Sequence, residues 1–99
     1  MTTALVLALI ARVPLSGVAD FQAYEAQVLP LLADHGGSLE RRLRNADGTT
    51  EVHVVRFASR DGLDRFRQDQ RRVAATPQLQ QSGATIELME MCDVANDES

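Results

Sequence analysis

The chain has 99 residues, which is enough for one domain with a hydrophobic core that needs neither disulfides nor metals to fold. Fourteen acidic residues against ten basic ones give a net charge of −4, which opposes contact with nucleic-acid phosphates and with anionic lipids. The single cysteine, Cys92, excludes an internal disulfide and suits the reducing cytoplasm. We therefore expect one cytoplasmic domain over residues 1–99, ordered over about 4–94, with no nucleic-acid or membrane partner.

The first apolar stretch, Ala4–Val13, is predicted to form a strand that is covered on both faces. Both sets of alternating positions are apolar: Leu5, Leu7 and Leu9 on one face, and Val6, Ala8 and Ile10 on the other. No basic residue precedes this run and Arg12 follows it, which is the reverse of the charge pattern of a secretion signal. A central strand of a sheet fits this pattern.

Helical spacing begins at Val18 and continues to His35. Apolar and aromatic residues recur at steps of three and four: Val18, Phe21, Tyr24, Val28, Leu31 and Leu32. Pro30 removes a backbone hydrogen bond inside this helix, so a bend is predicted there. Gly36 and Gly37 are predicted to end the helix, with His35 bonded to one of its terminal carbonyls.

Two strands joined by a tight turn are predicted next. The first, Ser38–Asn45, alternates leucines with charged residues, which predicts Leu39 and Leu43 on one face and Glu40, Arg42 and Arg44 on the other. The turn is Asn45–Gly48, whose residues tolerate positive φ. The second strand, Glu51–Ala58, is rich in valine and is predicted to pair with the first as an antiparallel hairpin.

Helical signals return after this hairpin. Ser59 offers a hydroxyl that caps a helix predicted over Arg60–Val73. The pair Thr76 and Pro77 predicts a fresh helix start, and a short separate turn runs from there through Gln81.

The last predicted strand, Ala84–Val94, completes an α+β ferredoxin-like βαββαβ order with an antiparallel four-stranded sheet. The polar end, Ala95–Ser99, is expected to fray. Two helices cover only one face of such a sheet, and the other face carries Val54 and Arg56. A second copy of the chain is the simplest cover for it, so a homodimer is expected.

Three segments together resemble a known group of proteins. They are VLPLLADHGG (Val28–Gly37), VHVVRFASRDGLDRFRQD (Val52–Asp69) and SGATIELMEMCDV (Ser82–Val94). The chain is similar to small bacterial proteins of the dimeric α/β-barrel superfamily, in a group of unknown function that is related in fold to antibiotic-biosynthesis monooxygenases. The resemblance implies that two ferredoxin-like protomers pack their sheets into one barrel.

The resemblance is less specific for chemistry than for fold. Such relatives include cofactor-free quinol monooxygenases, isomerases, cyclases, haem enzymes and proteins without known activity, and fold alone does not choose among them. The aromatic, tryptophan-containing pocket usual in the monooxygenase branch has no counterpart in a chain with four aromatic residues and no tryptophan.

The candidate site residues are His53, Arg56 and Tyr24. Alternation places His53 with Val55 and Phe57, toward the helices, where a neutral imidazole beside a pocket could act as a general base or ligand contact. The alternative is a covered histidine that is hydrogen-bonded to a neighbour.

Arg56 alternates to the other face, where a structural ion pair with a glutamate competes with a role in holding a substrate carboxylate or oxyanion. Tyr24 could orient a ligand through its hydroxyl, or it could be a core residue with a solvated tip. The spacing of His35 and His53 does not predict a metal site.

Two functional hypotheses follow. The first is a homodimer that binds a small metabolite between sheet and helices, without a cofactor. The second is a cofactor-free monooxygenase or isomerase in which His53 is the base and Arg56 or Tyr24 holds an oxyanion.

Overall fold

The computed structural model describes residues 4–94, and in this range a four-stranded antiparallel sheet carries its helices on one face. The elements are β1 (Leu5–Arg12), α1 (Val18–Val28), β2 (Gly37–Arg44), β3 (Thr50–Phe57), α2 (Arg60–Gln68), α3 (Gln70–Ser82) and β4 (Thr85–Met91). The strand order is β2-β3-β1-β4, so the two most apolar strands are central. The predicted ferredoxin-like βαββαβ fold is confirmed. The expectation for Ala95–Ser99 concerns residues outside the described range.

The side of the sheet that faces the helices holds the core. Leu7 lies opposite Val55 in the β1–β3 pairing, and both pack with Phe57 and with Leu32 and Leu63 from the helical layer. The predicted inward facing of Val55 and Phe57 is confirmed, since both are buried. At the other end of β1, Ala11 forms a second buried cluster with Val13 and Phe21.

The first helical segment changes its geometry near Pro30. The α-helix ends at Val28, and Leu29–His35 continues as a 3-10 helix with Pro30 in its first turn. Where the sequence predicts a bend at Pro30, the structure shows a change of helix type that extends over Leu29–His35. Gly36 has a φ of 72° and ends the segment in the left-handed conformation, as predicted.

The second helical region breaks at a different residue from the one predicted. The prediction of one continuous helix over Arg60–Val73 is wrong, because α2 ends at Gln68. Asp69 then caps a new helix, and its side chain accepts a hydrogen bond from the Arg71 backbone N–H. The predicted start at Thr76–Pro77 is also wrong, since Pro77 lies inside α3. The helix continues through Pro77 because α3 packs along α1, with Ala75 buried in that contact.

A β-bulge in β2 decides which side chains face the helices. Leu39 lies opposite Val55, but the register shifts after it, so Arg42 lies opposite His53 and Leu43 opposite Val52. The prediction that Leu39 and Leu43 share one face is therefore wrong. The extra residue turns Arg42 and Arg44 toward the helices.

The second face of the sheet has no helix on it in residues 4–94, and we call it the open face. Its apolar side chains come from all four strands: Val6, Ala8, Ile10, Leu43, Val52, Val54, Met89 and Met91. Leu43 is 49% exposed and Met91 51%, so large apolar groups reach the surface here. An uncovered apolar sheet face is typical of surfaces that contact another molecule.

Candidate functional site

A cavity of about 160 Å³ lies between the helix-facing side of the sheet and the helices. Its walls are mainly apolar, with Leu7, Leu9 and Val55 from the sheet and Phe21, Val28 and Phe66 from the helices. A cavity of roughly 150 Å³ with such walls accommodates a benzene-sized molecule. The cavity is thus large enough for a small ring or a short branched chain.

Five polar side chains border this cavity: Tyr24, Glu25, His53, Arg67 and Arg72. Tyr24 and Glu25 lie on α1 and His53 on β3, and all three are buried. Arg67 is at the end of α2 and Arg72 near the start of α3. The sequence-predicted residues His53 and Tyr24 therefore line the same cavity.

His53 is 3% exposed and contacts two buried carboxylates through one ring nitrogen. Its Nε2 lies 2.7 Å from Glu51 Oε1 and 3.0 Å from Glu25 Oε2. Only the Glu51 contact is a hydrogen bond, because Glu25 Oε2 finds no hydrogen-bond partner in the described part of the chain. Nε2 is thus held as a donor to Glu51 beside a second negative charge.

Glu51 is fully buried and is bonded on both of its oxygens. Arg42 Nε donates to Oε1 at 3.0 Å, and Arg44 Nε donates to Oε2 at 2.7 Å. Burial would raise the pKa of Glu51, but the hydrogen bonds from His53, Arg42 and Arg44 outweigh it and lower the pKa to about 2. Glu51 is therefore a carboxylate at any physiological pH.

Glu25 is 2% exposed and shares one of these cations. Its Oε1 accepts a hydrogen bond from Arg42 Nη2 at 3.0 Å, so Arg42 bridges Glu25 and Glu51. Glu25, Glu51, His53, Arg42 and Arg44 together form what we call the buried ion cluster. Its carboxylates and its arginines balance each other in charge, and protonated His53 adds one positive charge.

The cluster changes the expected protonation of His53. Burial by itself would lower the pKa of this imidazole, but the contacts with the Glu25 and Glu51 carboxylates and their negative charges outweigh burial and raise the pKa. The cluster therefore favours the protonated form of His53, which donates from Nε2 to Glu51. This disfavours the neutral general base that the sequence suggested.

The ligand atoms of Glu25, Glu51 and His53 lie within 4.8 Å of one another, a spacing that suits a metal ion. The charge of the surroundings argues against one. Arg42 and Arg44 already bind both oxygens of Glu51 and one oxygen of Glu25. A divalent cation would have to displace these guanidinium groups or remain beside two positive charges.

Tyr24 and Arg72 lie next to each other at the helix side of the cavity. Burial raises the pKa of the Tyr24 hydroxyl, and the charge and hydrogen bond of Arg72 offset part of that rise. The Arg72 guanidinium carbon lies 5.4 Å from the centre of the Phe66 ring, within cation–π distance.

The structure does not bring Arg56 to this site. Its side chain lies on the open face with Val54, where it pairs with Glu40 at 3.2 Å and with Asp93 at 3.4 Å. The predicted ion pair with a glutamate is confirmed. Within one subunit Arg56 cannot contact a ligand that touches His53.

His35 also has a different partner from the one predicted. Its Nε2 lies 2.8 Å from Asp69 Oδ2, so the ring joins the end of the 3-10 helix to the cap of α3 and does not bond a helix carbonyl.

Sequence reasoning missed Glu25 and Glu51, although two signals pointed to them. The alternation that turns His53 inward places Glu51 on the same face. Glu25 is four residues after Phe21 and three before Val28, so it lies on the buried stripe of α1. A glutamate on a buried face indicates a buried polar site more strongly than a histidine alone does, because glutamate is rarely buried without a partner.

Comparison with solved structures places this geometry in context. SnoaB, a cofactor-independent oxygenase from Streptomyces nogalater, is 17% identical with a TM-score of 0.74, and the match covers 94% of this chain and 95% of that one. Rv0793 from Mycobacterium tuberculosis is 19% identical with a TM-score of 0.71, covering 95% and 100%. A protein from Caulobacter crescentus CB15, provisionally named an antibiotic biosynthesis monooxygenase, is 13% identical with a TM-score of 0.73, covering 93% and 92%.

The chain shares the fold of the antibiotic-biosynthesis monooxygenases. At these identities the likeness concerns the fold and not the chemistry. No family model and no curated protein sequence matches the chain. Within residues 4–94, the helices are too short or too polar to span a bilayer.

Proposed function

We propose that the protein is a cytoplasmic homodimer that binds a small, mostly apolar metabolite in the cavity between its sheet and its helices. The observation that carries this proposal is an apolar cavity with His53 and Glu25, two members of the buried ion cluster, in its wall. Ligand sites commonly combine apolar walls with a few fixed polar groups. The sole cysteine, Cys92, supports a reducing compartment.

The first prediction concerns occupancy of the cavity. Toluene, a neutral probe of the right size, is expected to shift the NMR signals of Leu9 and Val55, which line the cavity. Replacing Leu88, another lining residue, by tryptophan should fill the space and weaken this binding by about ten-fold or more.

Val73→Trp is the matched control, because Val73 is 53% exposed on α3 and does not line the cavity. It should leave toluene binding unchanged. Shifts that are equal in the two variants, or no shifts at the lining residues in the wild type, would contradict a ligand cavity.

The second prediction concerns the open face, which supports the homodimer. Light scattering is expected to report a dimer at micromolar concentration, because pairing two copies removes the apolar open face from water. Val54→Glu on that face should shift the protein to monomers, whereas Val73→Glu on the exposed helix surface should not. If light scattering reports a monomer for the wild-type protein, the proposed dimeric barrel is wrong.

A second candidate function is a cofactor-free monooxygenase or an isomerase. SnoaB, which shares the fold, is a cofactor-independent oxygenase, and the cavity here has His53 and Glu25 in its wall, 3.0 Å apart. His53 can accept a proton only above its raised pKa, so an activity that uses it as the base would increase with pH. Turnover of quinols or lactones that is lost in His53→Gln would favour this function over binding alone.

A further inference from the structure

The side chains that line the cavity include more arginines than carboxylates. Glu25 is the one acidic residue among its lining side chains in residues 4–94, and it is already matched by Arg42 at 3.0 Å and His53 at 3.0 Å. Arg67 and Arg72 also line the cavity, and neither has a carboxylate within 4.0 Å among the described residues. The cavity wall therefore holds positive charge that the described part of the protein does not neutralise.

Arg72 is held in place as an anchor at this wall. Its guanidinium lies over the Phe66 ring at 5.4 Å, and its Nη1 donates to the Arg67 carbonyl oxygen at 3.2 Å. Arginine has five N–H donors, so most of those of Arg72 remain available. A guanidinium whose orientation is already fixed loses little conformational entropy when it binds an anion.

The geometry of a guanidinium matches one class of anion well. A carboxylate accepts two parallel N–H groups from the same arginine, which adds both strength and orientation. The apolar walls and the volume of about 160 Å³ leave room beside Arg72 for a body of about one ring. Tyr24, whose hydroxyl is influenced by Arg72, lines the same cavity.

We propose that the ligand of this cavity is a small monocarboxylic acid with an apolar, ring-sized body, and that Arg72, assisted by Arg67, binds its carboxylate. This inference rests on the proposed binding function and names the chemical class of its ligand. The apolar body packs against Phe66, Leu9 and Val55.

The test compares benzoate with toluene, which has the same ring and no charge, by NMR titration of the wild-type protein. Benzoate is expected to bind at least about ten-fold more tightly than toluene, and its affinity should fall as salt is added. Arg72→Met should remove about ten-fold of benzoate affinity and leave toluene within about two-fold. Arg67→Met should show a smaller loss of the same kind.

Arg65→Met is the matched control, since Arg65 is an exposed arginine of α2 that does not line the cavity. It removes the same unit of charge and should leave benzoate affinity unchanged. Arg72→Lys keeps the charge and the long side chain, so it should bind benzoate more tightly than Arg72→Met does and less tightly than the wild type. It also replaces Arg72→Met as the test variant if that protein fails to fold.

The outcomes separate this inference from the proposed function. Toluene binding equal to benzoate binding, or benzoate affinity that is unchanged in both Arg72 variants, overturns the carboxylate proposal and leaves the cavity as a ligand site. If neither molecule shifts the signals of Leu9 and Val55, the proposed binding function fails together with it.

Discussion

Phe57→Ala is expected to lower the free energy of unfolding by about 3–5 kcal/mol, as measured by urea denaturation. Phe57 is 1% exposed and packs with Leu7, Leu32 and Leu63. Its ring also lies 5.7 Å from that of Phe66. Truncation leaves a cavity between the end of β3 and the helices, because neighbouring strands and helices hold its surroundings in place.

Leu15→Ala is the control for this truncation. Leu15 is also a large apolar residue, but it is 70% exposed, so its loss should change stability by less than about 0.5 kcal/mol. A Phe57→Ala protein that melts like the wild type would contradict the inward facing of β3.

The facing of β3 could be predicted because the alternation is unbroken. Glu51, His53, Val55 and Phe57 are all buried, while the residues between them are on the open face. A period of two leaves only one choice once Val55 and Phe57 are turned toward the helices. The order of strands and helices was then enough to predict the ferredoxin-like fold, because apolar residues repeat with a different period in a strand and in a helix.

The facing of β2 could not be predicted because a bulge leaves no clear mark in a polar sequence. One extra residue after Leu39 reverses the side of every later side chain. This moves Arg42 and Arg44 from the side expected to be solvated to the buried ion cluster. Two of the five residues of that cluster therefore depend on a register that only pairing with β3 reveals.

The helix break was missed because two signals competed. Pro77 is a strong local signal for a helix start, and Asp69 a weaker one. A tertiary contact favours Asp69, since His35 Nε2 lies 2.8 Å from its carboxylate. His35 is 34 residues away in the sequence, so this contact is not visible until the chain is folded.

Glu51→Gln is expected to lower the free energy of unfolding by about 3 kcal/mol at pH 6, the lower end of the range for breaking a buried ion pair. The amide keeps the shape of the side chain but loses the charge that Arg42, Arg44 and His53 share. The loss is expected at the lower end of that range because the Arg42 and Arg44 side chains are 37% and 39% exposed, so water can solvate their charges in the variant. The measurement is urea denaturation of both proteins across pH.

Glu87→Gln is the matched control, because Glu87 pairs with Arg12 at 3.1 Å while both side chains are more than half exposed. A pair of this kind contributes about 0–1 kcal/mol, so its loss should be small. Equal losses in the two variants would mean that the buried ion cluster does not stabilise the fold.

The pH dependence of the Glu51→Gln effect tests the cluster directly. The pKa of Glu51 falls from 4.5 to about 2 on folding, so its contribution is present above pH 4.5 and disappears as the pH falls toward 2. The pKa of His53 is raised above 6.5, so the stability gained from its charge is complete below that pH and decreases as the pH rises through the folded value. The difference between wild type and variant should therefore be largest between about pH 4.5 and 6.5 and should narrow on both sides. A difference that stays constant as the pH rises from about 6 to 9 would show that the Glu51 charge does not hold a proton on His53 and would return His53 to the role of a neutral base.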